Sequence, residues 1–272
     1  MQQSEIAVVT GGASGLGRAL CEELARKGVL VVVTDIDGLG AERVSTDIRA
    51  HGGRAESAQL DVSYADHVGK LIDEVVSRHG KIDFIFNNAA IAIVGELRDG
   101  SINDFRRVVE VNLFGVIHGT MAAYRAMLRQ RSGHIVNISS MTGLMATPIL
   151  TAYSTTKWAI VGFTTALRKE AADLGVKVSV ACPGLVRTNI PDRTIYWNVD
   201  KDEYLKWLPW QNTMLSPNAA AKGILRGVAR NQEMIFCPSS ARIAWWVHRL
   251  CPAVLSCLMG RTLNSFRKLR KN

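Results

Sequence analysis

The stretch Ile6 to Leu20, IAVVTGGASGLGRAL, decides how the rest of the chain is read. Ile6 to Thr10 is a short, almost wholly apolar run, as expected of a strand buried on both faces. Gly11, Gly15 and Gly17 crowd the turn that follows, and Leu20 and Leu24 then repeat at helical spacing. A strand passing through glycines straight into a helix lets backbone amides approach a pyrophosphate, and the helix N-terminus adds partial positive charge. The spacing is G-x-x-x-G-x-G; the common dinucleotide fingerprint G-x-G-x-x-G is broken by Leu20. A bland tight turn has the same composition, so the flanking strand and helix carry the cofactor reading.

Outward from this unit the same rhythm continues. Apolar runs at Leu30 to Thr34, Glu56 to Leu60, Ile82 to Asn87, His134 to Ser139 and Lys177 to Cys182 alternate with amphipathic stretches starting near Gly40, Tyr64, Ile102 and Ala152. Gly28, Gly80 and Gly175 stand where helices should end. The pattern predicts an α/β domain with a doubly wound parallel sheet and helices on both faces. After Pro183 the rhythm breaks into a polar and aromatic stretch, Arg187 to Ser216, before a helix from Pro217 to Arg230 and a strand at Met234 to Cys237. We expect one domain over residues 1–238, with a lid at about 188–216, and a basic amphipathic extension over 239–272.

Asp35 closes the second strand, 18 residues beyond Gly17. A carboxylate there accepts hydrogen bonds from adenosine ribose hydroxyls and repels a 2′-phosphate, which favours NAD over NADP. The competing reading is a helix N-cap, for which Asp37 serves equally well.

Composition limits the alternatives. With 272 residues, 47% hydrophobic and 21% charged, the chain can bury a large core and is neither disordered nor collagen-like. Five cysteines, at 21, 182, 237, 251 and 257, form no C-x-x-C pair, so neither a disulfide framework nor a zinc cage is indicated. The six histidines lack metal-ligand spacing, no metal site is expected, and His118 and His134 read as structural. The N-terminus reaches a strand within five residues without a secretory signal pattern, which suggests a cytoplasmic protein. Net charge is +9, but residues 239–272 hold seven basic side chains and no acid, leaving +2 elsewhere. That distribution argues against nucleic acid as a partner.

The segment NISSMTGLMATPILTAYSTTKWA, residues 137–159, carries the chemistry. Tyr153 and Lys157 are four apart in a helical stretch and share a face, while Ser140 ends the fifth strand run. With TGGASGLG, NNAA at Asn87 to Ala90, Asn112, and the Pro183-Gly184 pair, the chain resembles the short-chain dehydrogenase/reductase family from residue 5 to about 190, and more loosely to 238. The resemblance implies an NAD-dependent oxidoreductase on a Rossmann-like domain. It implies Tyr153 as acid/base, Lys157 as its support and nicotinamide-ribose ligand, Ser140 as orienter of the substrate oxygen, and Asn112 as anchor of a relay water. It further implies cofactor contacts by Gly11, Ser14, Gly15, Leu16, Gly17, Asp35, Asp61, Val62, Asn88, Ala89, Pro183, Gly184, Val186 and Thr188, and a homodimer or homotetramer. Spacing in the family favours Ser140 over Ser139, and Ala90 replaces the glycine that commonly closes NNAG. An unperturbed tyrosine, with a pKa of about 10, ionises too little at neutral pH, so Lys157 and a positive nicotinamide are expected to lower Tyr153.

The substrate segments supply Ile91, Ile93, Val94, Met145, Pro148, Ile149 and Leu150, then Tyr196, Trp197, Tyr204, Trp207, Leu208, Trp210 and Met214. They suit a bulky apolar alcohol or ketone of steroid, terpenoid, retinoid-like or fatty character, or else pack the lid. The tail mixes large apolar side chains with Arg267, Lys268, Arg270 and Lys271, as peripheral membrane contact requires, or closes over the site or a second subunit. The rival functions are a catalytically idle NAD-binding sensor and a membrane-associated interaction protein.

Overall fold

The computed structural model describes residues 5–145, 147–188, 190–208 and 214–271. Its strands are β1 (Ile6–Thr10), β2 (Leu30–Asp35), β3 (Arg54–Gln59), β4 (Phe84–Asn87), β5 (Ile93–Val94), β6 (His134–Ile138), β7 (Lys177–Pro183), β8 (Ile195–Tyr196) and β9 (Met234–Cys237). Seven of them form one parallel sheet in the order β3-β2-β1-β4-β6-β7-β9, and β5 pairs with β8 separately. Side chains along the central strands alternate between two cores, as the period of a strand dictates. Ala7, Val9, Val31 and Val33 face helices α1 (Gly15–Arg26), α2 (Gly38–Ala50) and, at the far end of the chain, α8 (Pro217–Ala229). Ile6, Val8, Leu30 and Val32 face the opposite core with Leu71 and Ile72 of α3 (Ala65–His79). The doubly wound sheet with helices on both faces is the architecture the alternation called for.

Strand order reverses direction between β1 and β4, so the glycine turn and the Asn88 segment straddle the crevice where open α/β sheets bind ligands. The other differences from expectation are local. β3 starts at Arg54 and leaves Leu60 beyond its end; as an edge strand of sequence RAESAQ it lacks the apolar signature of its neighbours. The helix expected from Ile102 is broken into α4 (Ile102–Val109), a π turn over Glu110–Phe114 and α5 (Gly115–Gln130). α6 (Thr151–Glu170) follows β6, and the aromatic stretch contains α7 (Lys201–Trp207), capped by the Asp200 side chain on the amides of Asp202 and Glu203.

The tail folds into α9 (Ala241–Leu250) and α10 (Pro252–Phe266). Its last residues do not form a free basic end. Phe266 is 2% exposed, with its ring against Tyr204 and Trp207 of α7. Arg267 pairs with Glu96 at 2.8 Å, Arg270 with Asp99 at 2.6 Å, and Lys271 lies 3.9 Å from Asp200. Of the tail's basic residues, Arg267, Arg270 and Lys271 thus meet acids from distant segments, an arrangement that spacing along the chain cannot reveal.

Candidate active site

Each group reaches the site for a local reason. The glycine turn requires glycine where it bends: Gly11 and Gly15 have φ of +66° and +53°, and a Cβ on Gly17 would collide with the Gly11 carbonyl oxygen. Asn88 holds the turn from the other side, donating from Nδ2 to the carbonyl oxygens of Thr10 at 2.9 Å and Gly11 at 3.2 Å. Ser14 caps α1 through its backbone, with no capping bond from its side chain. Asp37 is the residue that caps α2, accepting from the Gly40 amide at 2.9 Å. Asp35 is thereby released from that duty. Its buried carboxylate accepts from the Ala13 and Asp37 amides at 3.1 and 3.0 Å, and from Arg193 of the lid segment at 3.2 Å.

Ser140 follows β6 and Tyr153 begins α6, where one helical turn carries the face on to Lys157. Lys157 is 1% exposed; its Nζ donates to the Ile138 carbonyl oxygen at 2.9 Å and sits 5.3 Å from the Tyr153 ring centre. Tyr153 is half-buried and within hydrogen-bond reach of the Ser140 side chain. Burial drives its phenol up to about 12, against the opposing pull of Ser140. Burial also drives the Lys157 ammonium down to about 8. The lowering expected from the sequence rests on Lys157 together with a positive nicotinamide; among the chain's own groups desolvation dominates and Ser140 alone opposes it. Ser139 Oγ donates to the Lys157 carbonyl oxygen at 2.8 Å, a strand-to-helix tie.

One cleft of about 520 Å³ joins these groups. Gly11, Ser14, Gly15, Leu16, Gly17, Asp35, Asp61, Val62, Asn88, Ala89, Pro183, Gly184, Val186 and Thr188 line it together with Ser140, Tyr153 and Lys157. Such a run, from a glycine cradle at a helix N-terminus to a half-buried Tyr153 beside a buried Lys157, fits a dinucleotide. The rest of the lining is largely apolar, with Ile91, Val94, Leu150, Leu185, Leu208 and Met214 beside Tyr196 and Tyr204, and Arg107 also lines the cleft. Trp207 instead packs on α10, Trp197 hydrogen-bonds Asp104, and Trp210 lies outside the described residues.

Asn112 does not line the cleft. Fully buried in the π turn, its Oδ1 accepts from the Ile91 amide at 2.8 Å, and its Nδ2 donates to the Ile91 carbonyl oxygen at 2.9 Å and to Thr156 Oγ1 at 3.3 Å. Its side chain ties the loop after β4 to α6. Two further groups escaped the sequence reading. Arg193 reaches Asp35 across 158 residues of chain, and Thr142 lines the cleft with a buried Oγ1 that finds no partner among the described residues. Only the proximity of Thr142 to Ser140 offered any sequence signal. Among the described residues, no group of His, Cys, Asp and Glu assembles to hold a metal ion.

The family description "short chain dehydrogenase" matches residues 5–197, and the chain belongs to this family of oxidoreductases. It is 35% identical over 236 residues to "Putative oxidoreductase SadH" of Mycobacterium tuberculosis, covering 86% of each chain. It is likewise 35% identical over 207 residues to a 3-oxoacyl-(acyl-carrier-protein) reductase of Synechocystis, covering 76% of this chain and 82% of that one. A solved short-chain dehydrogenase/reductase from Burkholderia phymatum, in complex with NAD, superposes with a TM-score of 0.84 at 27% identity, covering 94% and 97% of the two chains. A Rossmann-like fold and a nicotinamide cofactor follow for this chain as a member of the family.

Proposed function

We propose that the protein transfers hydride between NAD(H) and a bulky apolar secondary alcohol or its ketone. The observation that carries this reading is the single cleft, in which the glycine cradle and Asp35 open directly onto Ser140, Tyr153 and Lys157 and then onto an apolar wall. When bound, the nicotinamide ring accepts or returns the hydride. Ser140 Oγ orients the substrate oxygen, and Tyr153 Oη takes its proton in oxidation or gives one in reduction. Lys157 Nζ, which donates to the Ile138 carbonyl oxygen, would steady a phenolate and hydrogen-bond the nicotinamide ribose. Asn112 acts as a positioning residue through Ile91 and Thr156.

NAD rather than NADP is favoured because Asp35 is free of capping duty and points into the cleft. Apolar side chains dominate the described wall, although Arg107 and Arg193 also line the cleft, and a 3-oxoacyl compound, the substrate class in the Synechocystis relative's name, carries its ketone on an apolar chain of the same kind. The exposed Phe114, Met121 and Trp158, at the end of the π turn, on α5 and on α6, suit an interface between copies of the chain. The test is a turnover screen of lipophilic secondary alcohols, their ketones and 3-oxoacyl thioesters with both cofactors. Turnover confined to small polar alcohols would overturn the substrate reading.

A further inference from the structure

α9 is amphipathic in the reverse sense to a core helix. Its inward side carries Trp245, 5.5 Å from the Phe236 ring, with the Arg249 guanidinium over the indole at 5.7 Å and Arg242 over Phe236 at 5.3 Å. Ile243, Trp246, Val247 and Leu250 recur at i, i+3, i+4 and i+7, which puts them on one stripe. That stripe points away from the body: the four are 68%, 47%, 46% and 78% exposed. Leaving so much contiguous apolar surface in water is unfavourable, and such surfaces mark contact sites.

Charge chooses the occupant. At ~100° per residue, Arg242 and Arg249 flank the stripe on one side. Residues 239–272 contain no acid, and the basic groups that the body neutralises, Arg267, Arg270 and Lys271, lie at the opposite end of α10. A twofold interface between copies would set this patch against itself, bringing Arg242 and Arg249 near their own images with no acid between them. An anionic lipid surface meets both features, since apolar side chains and an indole enter the interfacial layer while guanidinium groups stay with the headgroups. Among the described residues no single helix is long and apolar enough to cross a membrane, and the helical segments Ala241–Leu250 and Leu255–Leu269 are bent by 106° relative to each other. We propose that α9 docks this protein onto anionic membrane surfaces, lying in the interface rather than crossing it. α10 then runs from the docked face to the lid helix α7, where Phe266 is buried.

The experiment is co-sedimentation of the full-length protein with vesicles of phosphatidylglycerol and phosphatidylcholine, against phosphatidylcholine alone. Binding should appear on the anionic vesicles and weaken at least ten-fold between roughly 50 and 500 mM salt. Arg242→Gln and Arg249→Gln should each weaken it about five-fold, and Ile243→Asp with Leu250→Asp by more than about ten-fold. Circular dichroism checks that each variant folds. Arg270→Gln, which removes a group already spent on Asp99, should leave partition unchanged within about two-fold. The proposal is overturned if the wild type ignores anionic vesicles at low salt, or if the arginine variants bind undiminished. It is equally overturned if the double aspartate variant changes the oligomeric state but not the partition. Partition is read without turnover, so the result stands apart from the substrate assignment.

Discussion

Tyr153 is half-buried beside the fully buried Lys157, and desolvation moves both toward their neutral forms, to about 12 and about 8. With the phenol so high, base-assisted oxidation should accelerate as pH rises above neutrality, and reduction should be favoured below it; kcat/KM profiles in both directions check this. Tyr153→Phe keeps the ring and loses the ionisable hydroxyl, so it should fold and bind cofactor while losing more than about nine-tenths of turnover. Asp35 and Arg193 form a second pair with opposed effects on an added 2′-phosphate. Asp35→Ala should narrow the preference for NAD over NADP, and Arg193→Ala, which removes the offsetting cation, should widen it. Measuring kcat/KM with both cofactors decides; a wild type preferring NADP would refute the ribose role of Asp35.

The π turn between α4 and α5 shows what element-level patterning leaves out. Apolar spacing continues through Glu110 to Phe114 as though one helix ran on, and the extra residue in the turn is tied down by the bonds of Asn112 to Ile91 and Thr156. The end of α10 is similar. Its apolar residues are legible as one face of a helix, but their counterpart is α7, some sixty residues earlier. Phe266→Ala should therefore cost about 3–5 kcal/mol in denaturant unfolding and, by loosening α7 with its cleft residue Tyr204, raise KM for apolar substrate more than it lowers kcat. An unchanged midpoint would mean that α10 is not seated there.

Stability of the whole molecule has a histidine at its centre. His134 lies in β6 with Nε2 at 2.8 Å from Ser179 Oγ, which itself donates to the Gln232 carbonyl oxygen. Burial, helped by Lys177 and Arg168, lowers it to about 4. The unfolded chain takes up this proton below about pH 6.5 while the folded chain resists until about 4. Stability is thus present above pH 6.5 and falls through that window, by about 3 kcal/mol in all. His134→Gln should flatten this part of the pH dependence of urea unfolding; a slope equal to that of the wild type would show that His134 is not its source.

The sequence by itself determined the parallel sheet, the glycine cradle and the pairing of Tyr153 with Lys157, because each rests on a local rule: strand and helix periodicity, the φ freedom of glycine, and the four-residue turn of a helix; Ser140, after β6, joins that pair through the fold. Edge strand β3 and the lid were harder, since polar edges and short capped turns leave weak periodicity. Only the tertiary structure decided that Asp35 meets Arg193, that Asn112 braces a loop, and that Glu96, Asp99 and Asp200 claim the basic end while the apolar stripe of α9 stays in the open. Those outcomes depend on which distant charges and surfaces the fold brings within a few ångströms, and spacing along the chain carries no record of that.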